Sequence, residues 1–262
     1  MEFREFTAGK DDDGRRLDRV LRKILPENTS SGLYSALRKK LIRVNDRACG
    51  GNTKVSDGDC IQVAEFLLSG KEREENNHTK NKLPPLDERQ IVFMNEHVLI
   101  LNKKAGISVQ PGGKGPSLWE QVLQFYQKMQ KAPSLSFTPG PLHRLDRNTS
   151  GLVAFSLSLE GAKWFTEAMK EGRIKKDYLG ISEGCLKQRE SWEDFLDDSE
   201  NEGKAFQTVR VCQEGERAVT EAIPLSYSAE KALTLVQFKI HTGKKHHYCG
   251  LEGILIYFFC YM

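Results

Sequence analysis

Residues 69–82 read Ser-Gly-Lys-Glu-Arg-Glu-Glu-Asn-Asn-His-Thr-Lys-Asn-Lys and contain no apolar side chain. Such a stretch has nothing to bury, so it cannot lie in a core and it divides what flanks it. The expected organisation is therefore a small domain over residues 1–68, a charged linker over 69–85 closed by Pro84-Pro85, and a larger domain over 86–262. With 262 residues and 39% hydrophobic content, the chain has material for one small and one medium core.

In the first part, Leu17, Val20, Leu21 and Ile24 recur at helical spacing, and Pro26 ends that helix. Thr29-Ser30-Ser31 offers N-caps for a second helix reaching about Lys40, with Leu33, Ala36 and Leu37 on one face. A strand over Glu2–Phe6 precedes this pair, and Asp11-Asp12-Asp13-Gly14 reads as a turn. Strands at Leu41–Val44 and Cys60–Ala64 follow, with turns at Asn45-Asp46 and Ser56-Asp57-Gly58-Asp59. The net charge of the whole chain is only +3, yet residues 15–54 hold eleven Lys or Arg against three acids, an excess of eight. A local excess of that size points to a polyanion. Two basic helices, a strand, Val44-Asn45-Asp46-Arg47 and Val55-Ser56-Asp57-Gly58-Asp59 together resemble the small RNA-binding module first described in a ribosomal small-subunit protein, the αL motif. The resemblance makes Arg15, Arg16, Arg19, Arg38, Lys39, Lys40 and Arg43 candidate RNA-binding residues. Cations on phosphate supply affinity and orientation and carry little sequence information.

The second part opens with an expected hairpin, Ile91–Met94 and Val98–Lys103, joined through Asn95-Glu96. The loop from Gly112 to Pro116 lacks the Gly-Lys-Ser/Thr ending of a phosphate-binding loop and receives no nucleotide role. Ser117 is expected to cap a helix carrying Leu118, Trp119, Val122, Leu123 and Tyr126. A second helix is expected over Glu160–Glu171, then an acidic surface loop over 187–204. Strands are expected at Gln207–Val211, Ala218–Tyr227 and Leu233–Ile240. Many strands, few helices and no βαβ alternation give an α+β class, mixed and mainly antiparallel.

Six scattered cysteines form no Cys-x-x-Cys pair, so a metal site is not expected. The start carries no apolar signal region, and a cytoplasmic, reduced protein is expected, with no membrane partner.

The chemistry concentrates in Pro141-Leu142-His143-Arg144-Leu145-Asp146-Arg147-Asn148-Thr149-Ser150-Gly151-Leu152. One carboxylate stands between two guanidiniums, a setting that favours the charged form, and Thr149 and Ser150 suit a closed turn. On charge alone this could be a surface ion pair. The whole string, however, resembles the active-site motif of the RluA-type pseudouridine synthases, which isomerise uridine in ribosomal and transfer RNA. Further resemblances are Lys103-Lys104-Ala105-Gly106-Ile107-Ser108-Val109-Gln110-Pro111 to the family's "NKPAGLxVHP", Lys176-Asp177-Tyr178-Leu179-Gly180 to "K-x-Y-L-A", and Ala218-Val219-Thr220 to "A-x-T".

The resemblance implies that Asp146 is the covalent nucleophile, which suits an anion needing no activating base. It implies that Arg144 fills the space vacated by a flipped base, and that Tyr178 stacks on that base and helps remove the proton from carbon 5. His143, Arg147, Lys244, Lys245 and His246 are expected on the substrate side, His143 by orienting the loop. The isomerisation breaks the glycosidic bond and rejoins the base through carbon 5, so no cofactor is expected. The implied partner is RNA, large-subunit ribosomal RNA before transfer RNA, and no obligate protein partner is evident.

The resemblance stops near residue 246. Where the family reads "T-G-R-x-H-Q-I-R-x-H", this chain has Thr242-Gly243-Lys244-Lys245-His246-His247-Tyr248-Cys249, so Cys249 replaces the arginine that pairs with the catalytic aspartate. A cysteine cannot make charge-assisted, bidentate hydrogen bonds. Residues 251–262 are then unlike the family, apolar and aromatic from Ile254 on, as a frameshifted or truncated ending would be. The expectation is a sheet short of its last strands. The alternative to an enzyme is a non-catalytic RNA-binding protein of the same family, and a third possibility is an RNA chaperone using residues 1–68 alone.

Overall fold

The computed structural model describes residues 1–68, 83–112, 115–129, 134–197, 210–212, 216–240 and 259–261. The chain divides into two units. The first comprises Met1–Leu99, Gln110–Leu142 and Ala154–Phe165; the second comprises Ile100–Val109, His143–Val153 and Thr166–Met262. The first unit thus holds all of residues 1–68 together with segments from beyond the linker, whose apolar-free residues 69–82 lie outside the described ones.

In the first unit, β1 (Phe3–Thr7) pairs antiparallel with β4 (Cys60–Ala64), and β2 (Ile42–Val44) and β3 (Arg47–Ala48) complete a sheet ordered β1-β4-β2-β3. The β2–β3 turn is made by Asn45 and Asp46, both left-handed at φ 49° and 63°, the backbone a two-residue hairpin requires. Helices α1 (Leu17–Ile24) and α2 (Ser30–Arg38) cover this sheet. Thr29 Oγ1 accepts from Gly32 N at 3.2 Å, the cap expected from Thr29-Ser30-Ser31. Leu17, Val20, Leu21, Ile24, Leu33 and Leu37 bury against Ile42, Ile61 and Val63. The helical periodicity is thus what builds the small core, and the arginines and lysines between those positions are left at the surface.

The first unit also contains β5 (Ile91–Met94), the start of β6 (Val98–Lys103), α3 (Leu118–Met129), β7 (Gly140–Pro141), the end of β8 (Ser150–Ser156) and most of α4 (Leu159–Lys170). Ser117 caps α3 as expected: its N and Oγ both donate to the Glu120 carboxylate, at 2.7 and 2.6 Å, and Glu120 N returns a bond to Ser117 Oγ at 3.3 Å. Gly161 is needed where α4 passes the hairpin, because a Cβ there would stand 2.2 Å from the His97 carbonyl oxygen.

In the second unit the strands run β11-β10-β12-β13-β9-β14-β8-β6. The added strands are β9 (Asp177–Glu183), β10 (Glu190–Asp197), β11 (Arg210–Cys212), β12 (Glu216–Ser228), β13 (Leu233–Ile240) and β14 (Phe259–Tyr261). All pairings given for it are antiparallel except β14 with β8, so the class is α+β, mixed and mainly antiparallel.

One expectation is corrected. The acidic stretch read as a surface loop contains β10, which pairs with β12 from Glu190↔Ala222 to Leu196↔Glu216. A long partner strand supplies the ladder, and it overrides the poor strand preference of Glu and Asp. The terminal residues Phe259–Tyr261 form β14, parallel to β8 through Phe259↔Ser150 and antiparallel to β9 through Cys260↔Tyr178.

Candidate active site

Asp146 sits in the second unit on the turn that enters β8. Leu145 is buried and anchors the turn, while Arg144 and Arg147 on either side of Asp146 are exposed and Asp146 itself is half-buried. Thr149 N donates to the Asp146 carbonyl at 3.1 Å, and Thr149 is itself buried. The Asn-Thr-Ser-Gly sequence thus closes the turn that displays the carboxylate, with the backbone amide of Thr149 as donor.

A second loop clamps this one. Gly106 N donates to the Arg147 carbonyl at 2.8 Å, and Arg147 Nε donates back to the Gly106 carbonyl at 3.0 Å. Gly106 has φ +91°, a region that side chains rarely occupy, so the glycine is required by the turn that aims its carbonyl at Arg147. The clamp is completed by Lys103, whose side chain has 0% exposure. Its Nζ donates to three main-chain carbonyls: Ile107 at 2.9 Å, Arg147 at 3.0 Å and Lys104 at 3.1 Å. Burial pushes the Lys103 ammonium down to about 8, and the charge of Asp146 acts in the opposite direction. A buried lysine from outside the motif loop thus places a cation within electrostatic reach of Asp146.

Sequence reasoning did not place Lys103 in the site. The signal was present: Leu99, Leu101 and Lys103 alternate along β6, so a strand that buries the first two buries the third. A lysine in the inward phase of a strand must find acceptors, and it finds them in the loops that hold Asp146.

His143 opens the motif beside Lys176. Burial lowers its imidazole to about 4, the Lys176 charge adds to this, and a hydrogen bond involving the Arg144 backbone works against it. His143 is neutral at pH 7, so it offers no positive charge to a substrate. Tyr178 lies on β9 two residues after Lys176, is 5% exposed, and is paired in register with Phe238 of β13 and Cys260 of β14. Lys244, Lys245, His246 and Cys249 lie outside the described residues.

Among the cations of residues 1–68, the structure sorts the expected set in two. Arg19, Arg38, Lys39 and Lys40 are exposed, and Arg43 lies over the Phe3 ring at 4.7 Å. Arg16 instead binds Asp18 through both carboxylate oxygens, at 3.2 and 2.8 Å, and Arg15 Nη1 donates to Ser136 Oγ at 2.9 Å. Among the described residues, no group of His, Cys, Asp and Glu could hold a metal ion, and no helix is long and apolar enough to cross a membrane.

Asp146 thus stands half-buried on a motif turn at the head of a strand, in a mixed and mainly antiparallel sheet. The RNA pseudouridylate synthase family model matches residues 97–247, more than half of the chain, and the chain belongs to that family. It is 27% identical to ribosomal large subunit pseudouridine synthase D of Nitrosomonas europaea, over 92% of this chain and 66% of that protein. It is 32% identical to ribosomal large subunit pseudouridine synthase C of Pasteurella multocida, over 68% of this chain and 53% of that protein. The chain thus spans from about half to about two thirds of the length of these two curated relatives. The structure of human RNA pseudouridylate synthase domain containing 4 shares its fold, with a TM-score of 0.50 and 20% identity over 65% of this chain and 66% of that one.

Proposed function

We propose that this protein is an RNA pseudouridine synthase acting on large-subunit ribosomal RNA, with Asp146 as the nucleophile. The observation that carries this reading is the clamp around Asp146. Lys103, Gly106 and Arg147 fix the turn through five hydrogen bonds while the carboxylate stays half-exposed, the condition of a held reactive group. Family membership and the names of the two curated relatives supply the substrate class.

In this reading the target uridine leaves the RNA stack, and exposed Arg144 occupies the place it vacates. Asp146 attacks the nucleotide, and the bond between the sugar and base nitrogen 1 breaks. The base turns, carbon 5 bonds to the sugar as the Asp146 carboxylate leaves it, the proton on carbon 5 departs with the help of Tyr178, and nitrogen 1 takes up a proton. Arg147, its Nε committed to Gly106, acts on the loop more than on the substrate, and neutral His143 orients the motif. Arg19, Arg38, Lys39, Lys40 and Arg43 hold RNA phosphates within the residue 1–68 domain.

The test is a covalent trap. The purified chain is incubated with ribosomal RNA fragments carrying 5-fluorouridine, and a slow-migrating adduct is sought on a denaturing gel. An adduct that vanishes in Asp146→Ala is expected. RNA binding with no adduct from the folded wild-type chain overturns the catalytic assignment in favour of a non-catalytic RNA-binding protein.

A further inference from the structure

Asp12 was legible in the sequence only as part of an acidic turn. In the structure its side chain is fully buried and its carboxylate accepts from five groups. One is local, Gly9 N at 3.0 Å. The other four come from more than 120 residues away: Ser134 Oγ at 2.8 Å, Leu135 N at 2.9 Å, Ser136 N at 2.9 Å, and Ser136 Oγ. Its neighbours make similar reaches. Asp11 Oδ1 accepts from Leu159 N at 2.7 Å, at the first turn of α4, and Arg15 Nη1 donates to Ser136 Oγ at 2.9 Å. All of these residues belong to the first unit. The turn that precedes the basic helices therefore grips two segments from beyond the linker. One is the head of α4, and the other is the loop seven residues ahead of His143.

A buried carboxylate is costly unless its lone pairs are satisfied, and a plain apolar contact would hold two segments together at lower cost. What a fully bonded carboxylate adds is register, since its donors accept one geometry. Burial alone raises the Asp12 carboxyl, but the bonds from Ser136, Gly9, Leu135 and Ser134 outweigh it and hold the group below the ordinary carboxylate range. The contact is ionised at neutral pH.

We propose that Asp12 is a positioning residue for the RNA reaction: it fixes the basic residue 1–68 domain on the loop that leads into the catalytic motif, so that RNA gripped by that domain counts toward productive binding. The inference rests on the pseudouridine synthase reading, because register matters to catalysis only if the domain holds substrate. Two tethered binding elements add their affinities only while geometry lets both engage.

The test compares the full chain with Asp12→Ala and Asp12→Asn, at a temperature where all three keep their circular dichroism. Two RNAs are used, a structured ribosomal RNA fragment and a minimal stem-loop too short to engage the basic domain. In Asp12→Ala, amide exchange in the peptide covering Leu135 and Ser136 speeds up. The KM for the structured fragment rises about tenfold, short of the roughly hundredfold or more that complete loss of a tethered contact can cost, while kcat and the stem-loop kinetics stay unchanged. Asp12→Asn falls between. Equal losses on both RNAs mark a merely structural residue and overturn the inference, as does an unchanged KM or unchanged exchange. A wild-type chain that makes no pseudouridine from either RNA defeats the catalytic reading separately. The inference is then decided by affinity for the structured fragment, which must fall about tenfold in Asp12→Ala and overturns the inference if it does not.

Discussion

Lys103 Nζ donates to the carbonyl oxygen of Arg147 at 3.0 Å, so a lysine at the end of one strand secures the residue next to the candidate nucleophile. The same ammonium holds Lys104 and Ile107, which makes it the common post of the two loops around Asp146. Substituting methionine keeps most of the volume and removes all three donors. Lys103→Met is expected to lower thermal stability by about 1–3 kcal/mol, the usual cost of orphaned buried acceptors, and to cut kcat at least tenfold with little change in RNA affinity. Thermal denaturation and single-turnover kinetics check the two parts. Unaltered kcat would mean that the clamp does not position Asp146.

The lowered Lys103 value carries a pH signature. With a pKa of about 8, the group is mainly charged at pH 7 and mainly neutral at pH 9. Its charge helps stabilise the Asp146 carboxylate, so kcat is expected to fall as pH rises through 8, and Lys103→Met is expected to lose that inflection. Stability moves the other way. The folded value lies below the unfolded one of about 10.4, so the unfolded chain binds more protons between them and the native state gains stability as pH rises from 8 to 10.

His143 predicts an acid-side effect. Its folded value near 4 lies below the unfolded value of about 6.5, so its contribution to stability is complete above pH 6.5 and is lost as pH falls toward 4. The melting temperature of the wild type is expected to drop more between pH 6.5 and 4 than that of His143→Gln. Parallel curves would remove His143 from the buried network. Activity between pH 7 and 8 should show no His143 inflection in either chain.

Gly106→Ala tests the turn geometry. At φ +91° a side chain is strained by roughly 1 kcal/mol or more, and relaxing it would draw the Gly106 carbonyl away from Arg147 Nε. Modest destabilisation with a several-fold loss of kcat is expected, read by melting and by the yield of the 5-fluorouridine adduct.

Gly161→Ala is a control in the first unit, outside the residues of the candidate site. The added methyl would meet the His97 carbonyl at 2.2 Å, a contact that forces α4 from the hairpin. A loss of roughly 1–3 kcal/mol in stability is expected, as for other overpacked core sites, with kcat per folded molecule unchanged.

The amino-acid sequence by itself determined the elements whose signals are local. The helices of residues 1–68 followed from the spacing of Leu17, Val20, Leu21 and Ile24, and the caps followed from Thr29 and from Ser117. The β5–β6 hairpin and the turn that follows Asp146 were equally legible, because turn chemistry and side-chain periodicity act over a few residues. Tertiary structure alone decided the rest. Glu190–Asp197 became a strand because β12 offered a ladder, and Phe259–Tyr261 became one because β8 and β9 left a place between them. Arg15 became a donor to Ser136 because the fold brought that residue, 121 positions away, within reach. Asp12 met Ser134 and Ser136, and Lys103 met Arg147, across 122, 124 and 44 positions of sequence. A buried charge must find partners wherever the fold brings them, and no local pattern records where that will be.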